Sequence, residues 1–290
     1  MRITIKRQVE HIWNNKYSSC GLNGYIIQFI KSIDSQYILG LTASDGLFEG
    51  SQDEYKKHDA AGVALGILCS RTPFCVPQKL IYLPLDDDIF QFGLKHVLER
   101  DIPSIDTLTW DNRKPIAFWR GAHSLCTHLR RSIVRELNGY PDANVKFVKT
   151  PWSSSNEWTD PNEYNTLYDE RTCGHGRPVP LEEHLEYKYI LIIDGCIIAS
   201  SLQMIFGTGS VPILVTDPEN EWWFKSLLIP WVNYVPARTD NIKEVIEYIR
   251  KNDIVARNIA LEACEFALRV FSPEYQKEYV KNSILNLERN

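Results

Sequence analysis

YKYILII, residues 187–193, closed by Asp194-Gly195, is the stretch on which the fold turns. It is almost continuously apolar and shows no polar alternation, so it reads as a strand buried on both faces, the form strands take inside parallel sheets. Ile197 to Phe206 follows with helical character, and Val211 to Val215 (VPILV) supplies the next strand. Strand, helix and strand in this order make a βαβ unit. A parallel sheet binds ligands beyond the carboxyl ends of its strands, which is where Gly195 falls.

Working towards the amino terminus, PIAFW (115–119) is a second apolar run. It leads into Arg120-Gly121 and then a segment of helical periodicity, Leu125 to Leu137, that holds Arg130, Arg131 and Arg135. This predicts strand, tight turn, helix, with Gly121 at another strand end. Earlier still, LIYLPL (80–85) ends in Asp86, Asp87 and Asp88 and suits a buried strand delivering carboxylates at its carboxyl end; Pro84 argues for an edge strand or one about to stop. Towards the carboxyl terminus, Ile242, Val245, Ile246 and Ile249 line one helical face, and a further helix is expected over Ile254 to Val270. The polar stretch Thr150 to Pro180 reads as loops over an active-site rim. The expected division is 1–112, 113–264, and a carboxyl-terminal helix over 265–290 that could return to the first domain.

The 290 residues are 44% hydrophobic and 11% aromatic, enough for substantial cores. A formal charge of -5 argues against a broad basic face, so no nucleic-acid partner is expected. No segment offers the roughly 18 apolar residues of a membrane span, and the amino terminus lacks a signal-peptide pattern, which leads us to expect a cytoplasmic protein. Seven cysteines lie scattered without a C-x-x-C pair and read as reduced, mostly packed thiols. His123, His128, His175 and His184 do not fall at metal-ligand spacings.

Four segments, FWRG (118–121), EYKYILIIDG (186–195), IIASSLQMIF leading to GTGSVPIL (197–214) and IPWVNYVPA (229–237), resemble in order and spacing the family 90 glycosyltransferases. That group holds Rumi-like protein O-glucosyltransferases and capsule-associated xylosyltransferases. The resemblance covers roughly residues 80 to 285. It implies an α/β, GT-B-like fold, two Rossmann-type domains with a cleft between them, 1–112 on the acceptor side with the catalytic base and 113–264 binding the nucleotide sugar. It further implies a UDP-sugar donor, xylose favoured and glucose next, inversion at the anomeric carbon, a glycan or glycoprotein acceptor, and neither cofactor nor essential metal.

Inverting transfer needs a base for the acceptor proton and donors that stabilise the departing diphosphate. The base is expected in the acidic cluster, with Asp87 matching the family position best and Asp86 nearly as well. Crowded carboxylates can raise one another's pKa. A solvated acidic turn and a D-x-D metal motif are the other readings of the same three residues. For the diphosphate, Gly121, Ala122 and the following helix are expected to bring backbone N–H groups and Arg130 or Arg131 to the phosphates. Arg120 and Arg130 could instead pair with surface carboxylates. Gly195, Cys196, Ala199, Ser200 and Ser201 should form the other half of the donor site. Many family members carry an arginine where Ser201 stands, and this departure raises the alternative of a catalytically silent nucleotide- or carbohydrate-binding module. Trp231 and Tyr234 match a family segment near the sugar, although so dense a set of aromatics also suits a core.

Overall fold

The computed structural model describes residues 24–33, 39–41, 64–67, 69–71, 80–84, 86–102, 109–122, 128–149, 166–172, 179–195, 198–199 and 201–286. The chain divides into two compact units, one of Met1–Val97, Pro218–Leu227 and Leu268–Asn290, the other of Leu98–Asp217 and Leu228–Ala267.

The first unit opens with α1 (Tyr25–Ser32), then β1 (Leu39–Leu41), β2 (Ala64–Ile67), β3 (Cys69–Arg71), β4 (Leu80–Tyr82) and α2 (Asp87–Phe92). Helix α1 turns Ile27 and Ile30 inward against Ile81, Leu83 and Phe90. Its N-cap is Gly24, which has no side chain to offer the free N–H groups. Asp87 supplies the missing acceptor: Tyr25 N donates to its Oδ2 and Ile26 N to its Oδ1, both at 2.8 Å. Strands β1, β2 and β4 form a parallel sheet in that order, with β4 at an edge and finished before Pro84. After Gly93, whose φ of 85° favours glycine, α3 (Leu94–Asp101) leads into the second unit.

The second unit runs β5 (Lys114–Ala122), α4 (His128–Glu136), β6 (Ala143–Lys149), β7 (Tyr168–Thr172), α5 (Leu181–Leu185), β8 (Tyr187–Ile193), α6 (Leu202–Phe206) and β9 (Val211–Val215). The chain then visits the first unit as β10 (Asn220–Trp222) and returns as β11 (Val235–Pro236), α7 (Ile242–Lys251) and α8 (Asp253–Val270) before α9 (Pro273–Asn286) closes it. Strand β10 pairs antiparallel with β3, and Trp222, Trp223 and Phe224 are buried beside it. Trp223 and Phe224 pack on Phe271, and Trp223 also on Tyr279. Buried Gln276 of α9 donates from Nε2 to the carbonyls of Ile89 and Phe271, tying that helix to α2.

The main sheet has the order β11-β9-β8-β5-β6-β7, all parallel. The chain winds outward from β5 to β7, returns beside β5 as β8, and winds outward again to β11. This order is that of a doubly wound α/β sheet, and the reversal between β5 and β8 is its topological switch point. Every residue of β8 and β9 is buried, which explains their unbroken apolar sequences. Helix α7 lays Ile242, Val245, Ile246 and Ile249 on the core that also holds Tyr189, Leu191 and Ile213. Each such side chain is worth about 1.5–3 kcal/mol of apolar burial.

Several expectations need correction. Strand β5 runs through Ala122, so Arg120-Gly121 is no turn; α4 begins at His128, and α6 spans only Leu202–Phe206. The expected rim loop, Thr150 to Pro180, contains β7, whose charged sequence YDERT is that of a sheet edge. Trp231 is not core: it is 42% exposed, with φ of 62°, and its ring meets Tyr248 edge-on. It precedes β11 and thus sits at the amino-terminal side of the sheet, away from Gly195.

Candidate functional site

At the switch point the two glycine segments that stood out in the sequence become neighbours, because β5 and β8 are adjacent and parallel. Arg130, from the first turns of α4, spans them. Its Nε donates to the Ile193 carbonyl at 3.2 Å and its Nη1 to the Ala122 carbonyl at 3.0 Å. These are the last residues of β8 and β5, so one guanidinium is oriented by both strand ends. Gly195 lies against it: a Cβ there would stand 3.0 Å from Arg130 Nη2. The guanidinium carbon is 5.6 Å from the centre of the Trp119 ring. Arg131, the next residue, is half-buried on the same helix. A cation held at the carboxyl ends of parallel strands can bind an anionic ligand, bidentately where the ligand is a phosphate.

The space at Gly121 serves a different purpose from the one expected. The residue is buried within β5, and a Cβ on it would overlap the Trp119 indole, with Cη2 2.7 Å and Cε2 2.9 Å away. The absent side chain makes room for that indole. Ala122 contributes its carbonyl to Arg130.

Asp194, which sequence reasoning passed over as the end of a strand, is 3% exposed. Its Oδ2 accepts from the Thr216 hydroxyl and from Asp217 N at 3.3 Å, and its own N–H donates to the Val215 carbonyl. The carboxyl ends of β8 and β9 are thereby pinned together beside the Gly195 segment. A carboxylate at the close of a fully buried strand was the available signal. Ala199 is buried, its carbonyl accepting from Leu202 N, and half-buried Ser201 is the N-cap residue of α6 without a side-chain capping bond. Cys196 and Ser200 lie outside the described residues.

Arg120 is a structural residue rather than a surface ion-pair former. Its Nε pairs with Asp169 Oδ2 at 2.7 Å, the two side chains being 5% and 12% exposed. Nη1 donates to the carbonyls of Trp119 and Asn144, Nη2 donates to Asn144 Oδ1, and the guanidinium covers the Phe118 ring. Phe118 in turn stacks on Tyr187 at 4.2 Å. The network fastens β5 to β6 and β7.

The acidic cluster lies in the first unit, at the start of α2. Asp86 is the N-cap of that helix, its Oδ1 accepting from Ile89 N at 2.9 Å, and Asp87 caps α1 as described. Both carboxylates therefore carry helix-capping roles that the sequence reading did not foresee. Asp88 is a first-turn acid of α2.

Among the described residues no helix is long and apolar enough to cross a membrane. The family model of glycosyl transferase family 90 matches residues 94–286. Protein O-glucosyltransferase 1 of Bos taurus is 30% identical over 161 residues, covering 55% of this chain and 38% of that protein. Uncharacterized protein 179R of Invertebrate iridescent virus 6 is 30% identical over 203 residues, covering 62% of this chain and 17% of that protein. The chain thus spans well under half the length of these relatives. The crystal structure of Anabaena HepE in complex with UDP-glucose superposes with a TM-score of 0.54 at 10% identity, over 92% of this chain and 75% of that one, and places the fold among GT-B glycosyltransferases.

Proposed function

Because this chain belongs to glycosyl transferase family 90, we propose that it moves a sugar from a UDP-sugar to a hydroxyl of a glycan or glycoprotein, with Arg130 as the principal ligand of the diphosphate. The observation that carries the proposal is Arg130 spanning the ends of β5 and β8 at the switch point. There a fixed guanidinium stabilises the charge that grows on the leaving diphosphate, and it does so without reorganising during the reaction. Gly195 keeps the approach to it open, since any side chain at that position would press on the guanidinium.

For the sugar, the similarity to a bovine protein O-glucosyltransferase supports glucose, and xylose is the other candidate donor. Inverting transfer requires a general base for the acceptor proton, for which Asp86 and Asp87 are the candidates. Their capping roles dictate the choice of variant. Asn caps a helix nearly as well as Asp but cannot take a proton, so Asp86→Asn separates basicity from stability. The serine in place of arginine at 201 favours a second reading, a binding module without turnover.

UDP release in the presence of UDP-glucose or UDP-xylose and a mixed glycan acceptor decides between the two. Release that needs both donor and acceptor, and falls by at least about a hundredfold in Arg130→Ala, is the expected result. UDP binding without release under any donor establishes the silent module. Full turnover in both Asp86→Asn and Asp87→Asn removes the base assignment.

A further inference from the structure

Arg130 does not hold its place at the strand ends unaided. Residues 119 and 121 of β5 point to the same face of the sheet, as alternation along a strand requires. Gly121 is not among the glycines with positive φ, so its backbone alone would admit other residues. What excludes them is the Trp119 indole, which fills the volume a Cβ would need. The ring is 5% exposed and is braced edge-to-face by Phe147 of β6 at 5.7 Å. Above it lies the Arg130 guanidinium, at a distance where the ring's quadrupole attracts a cation. Phe147, Trp119 and Arg130 thus form a chain of contacts from β6 to the switch point, and Gly121 leaves the space that the middle member occupies.

The geometry points to Trp119 as a positioning residue for Arg130, with Gly121 as its obligatory partner, so that an indole at 119 sets the diphosphate affinity of the site. This rests on the reading of Arg130 as a diphosphate ligand. Two carbonyl bonds fix where the guanidinium sits along the strand ends, and the aromatic face fixes the plane in which it presents its N–H groups. A guanidinium already held in that plane loses little freedom when a phosphate arrives.

The test is calorimetry on the full chain with two probes, UDP and uridine, the second lacking the phosphates. Trp119→Leu, which keeps apolar volume but removes the aromatic face, and Gly121→Ala, which evicts the indole, are each expected to weaken UDP binding about tenfold while leaving uridine binding within error. Trp119→Phe is expected to restore most of the loss. Parallel loss of uridine affinity in the folded variants would mean general damage to the unit and overturn the inference, as would unchanged UDP affinity. Should Gly121→Ala fail to fold, Trp119→Leu alone carries the comparison. Arg130→Ala separates the two levels of the argument. If it weakens UDP binding and Trp119→Leu does not, only the positioning role falls; if it leaves UDP binding unchanged, the diphosphate reading falls first.

Discussion

Two arginines ten positions apart flank the same segment and do opposite work. On the outer flank of β5, Arg120 is sunk among Asp169, Asn144 and Phe118 and fastens three strands. On the inner flank, Arg130 reaches from a helix to the ends of β5 and β8, where backbone carbonyls orient it. The first is a fastener, and the second, in the function proposed above, is an instrument. The guanidinium of a buried ion pair and the guanidinium at a strand end carry the same charge, and position in the sheet order decides which is which.

Four measurements test how the molecule divides structural from functional charge. The largest effect is expected from Asp169→Ala, which leaves the Arg120 charge buried without its carboxylate and should cost about 3–5 kcal/mol in denaturant unfolding. UDP affinity measured below the midpoint should stay the same; an affinity loss without a stability loss would erase the distinction. Next comes Arg130→Ala, with transfer reduced by about two to three orders of magnitude, or roughly 2.7–4 kcal/mol, and a melting temperature within a few degrees of the parent. Gly195→Ala is third. Its new methyl group would meet Nη2 at 3.0 Å, so UDP affinity should fall several-fold with little change in unfolding.

The smallest effect lies at the other end of the sheet. There Lys188 of β8 donates to Asp253 Oδ1 at 2.7 Å, and Trp110 Nε1 donates to Oδ2. The hydrogen bond from Lys188 is the main reason the Asp253 carboxyl is held below its ordinary value. A depressed carboxyl contributes stability above its unfolded pKa and loses it as pH falls through the folded one. The stability gap between the parent and Asp253→Asn should therefore be present near neutral pH and close in acid, below the usual aspartate value of about 3.9. Asp253 is half exposed, so the gap should not exceed roughly 1 kcal/mol. A gap that widens in acid would contradict the pairing.

The sheet core was legible because β8 and β9 are buried on both sides and their sequences say so without interruption. Strands at the other flank were harder to see. Strand β6 (ANVKFVK) mixes lysines with its apolar positions, and β7 carries three charges in five residues, so neither rises above a loop in composition. Gly121 and Gly195 were found by their places after apolar runs, but the reasons for them differ and could not be read. One depends on the Trp119 ring two residues back, the other on an arginine 65 positions earlier in the chain. Asp86 and Asp87 show the same limit. A run of three acids announces charge, yet the need of α1 for a cap, created by Gly24, becomes visible only when residues 24 and 87 meet.

The excursion of the chain through β10 has a practical consequence. Neither unit is one continuous stretch of polypeptide, and residues 218–227 carry two tryptophans and a phenylalanine that bury themselves with segments from the far ends of the sequence. A fragment trimmed to 98–267 would keep the whole doubly wound sheet yet display those aromatics to water, so gene dissection should yield a sticky, poorly expressed product unless that decapeptide is replaced by a polar bridge.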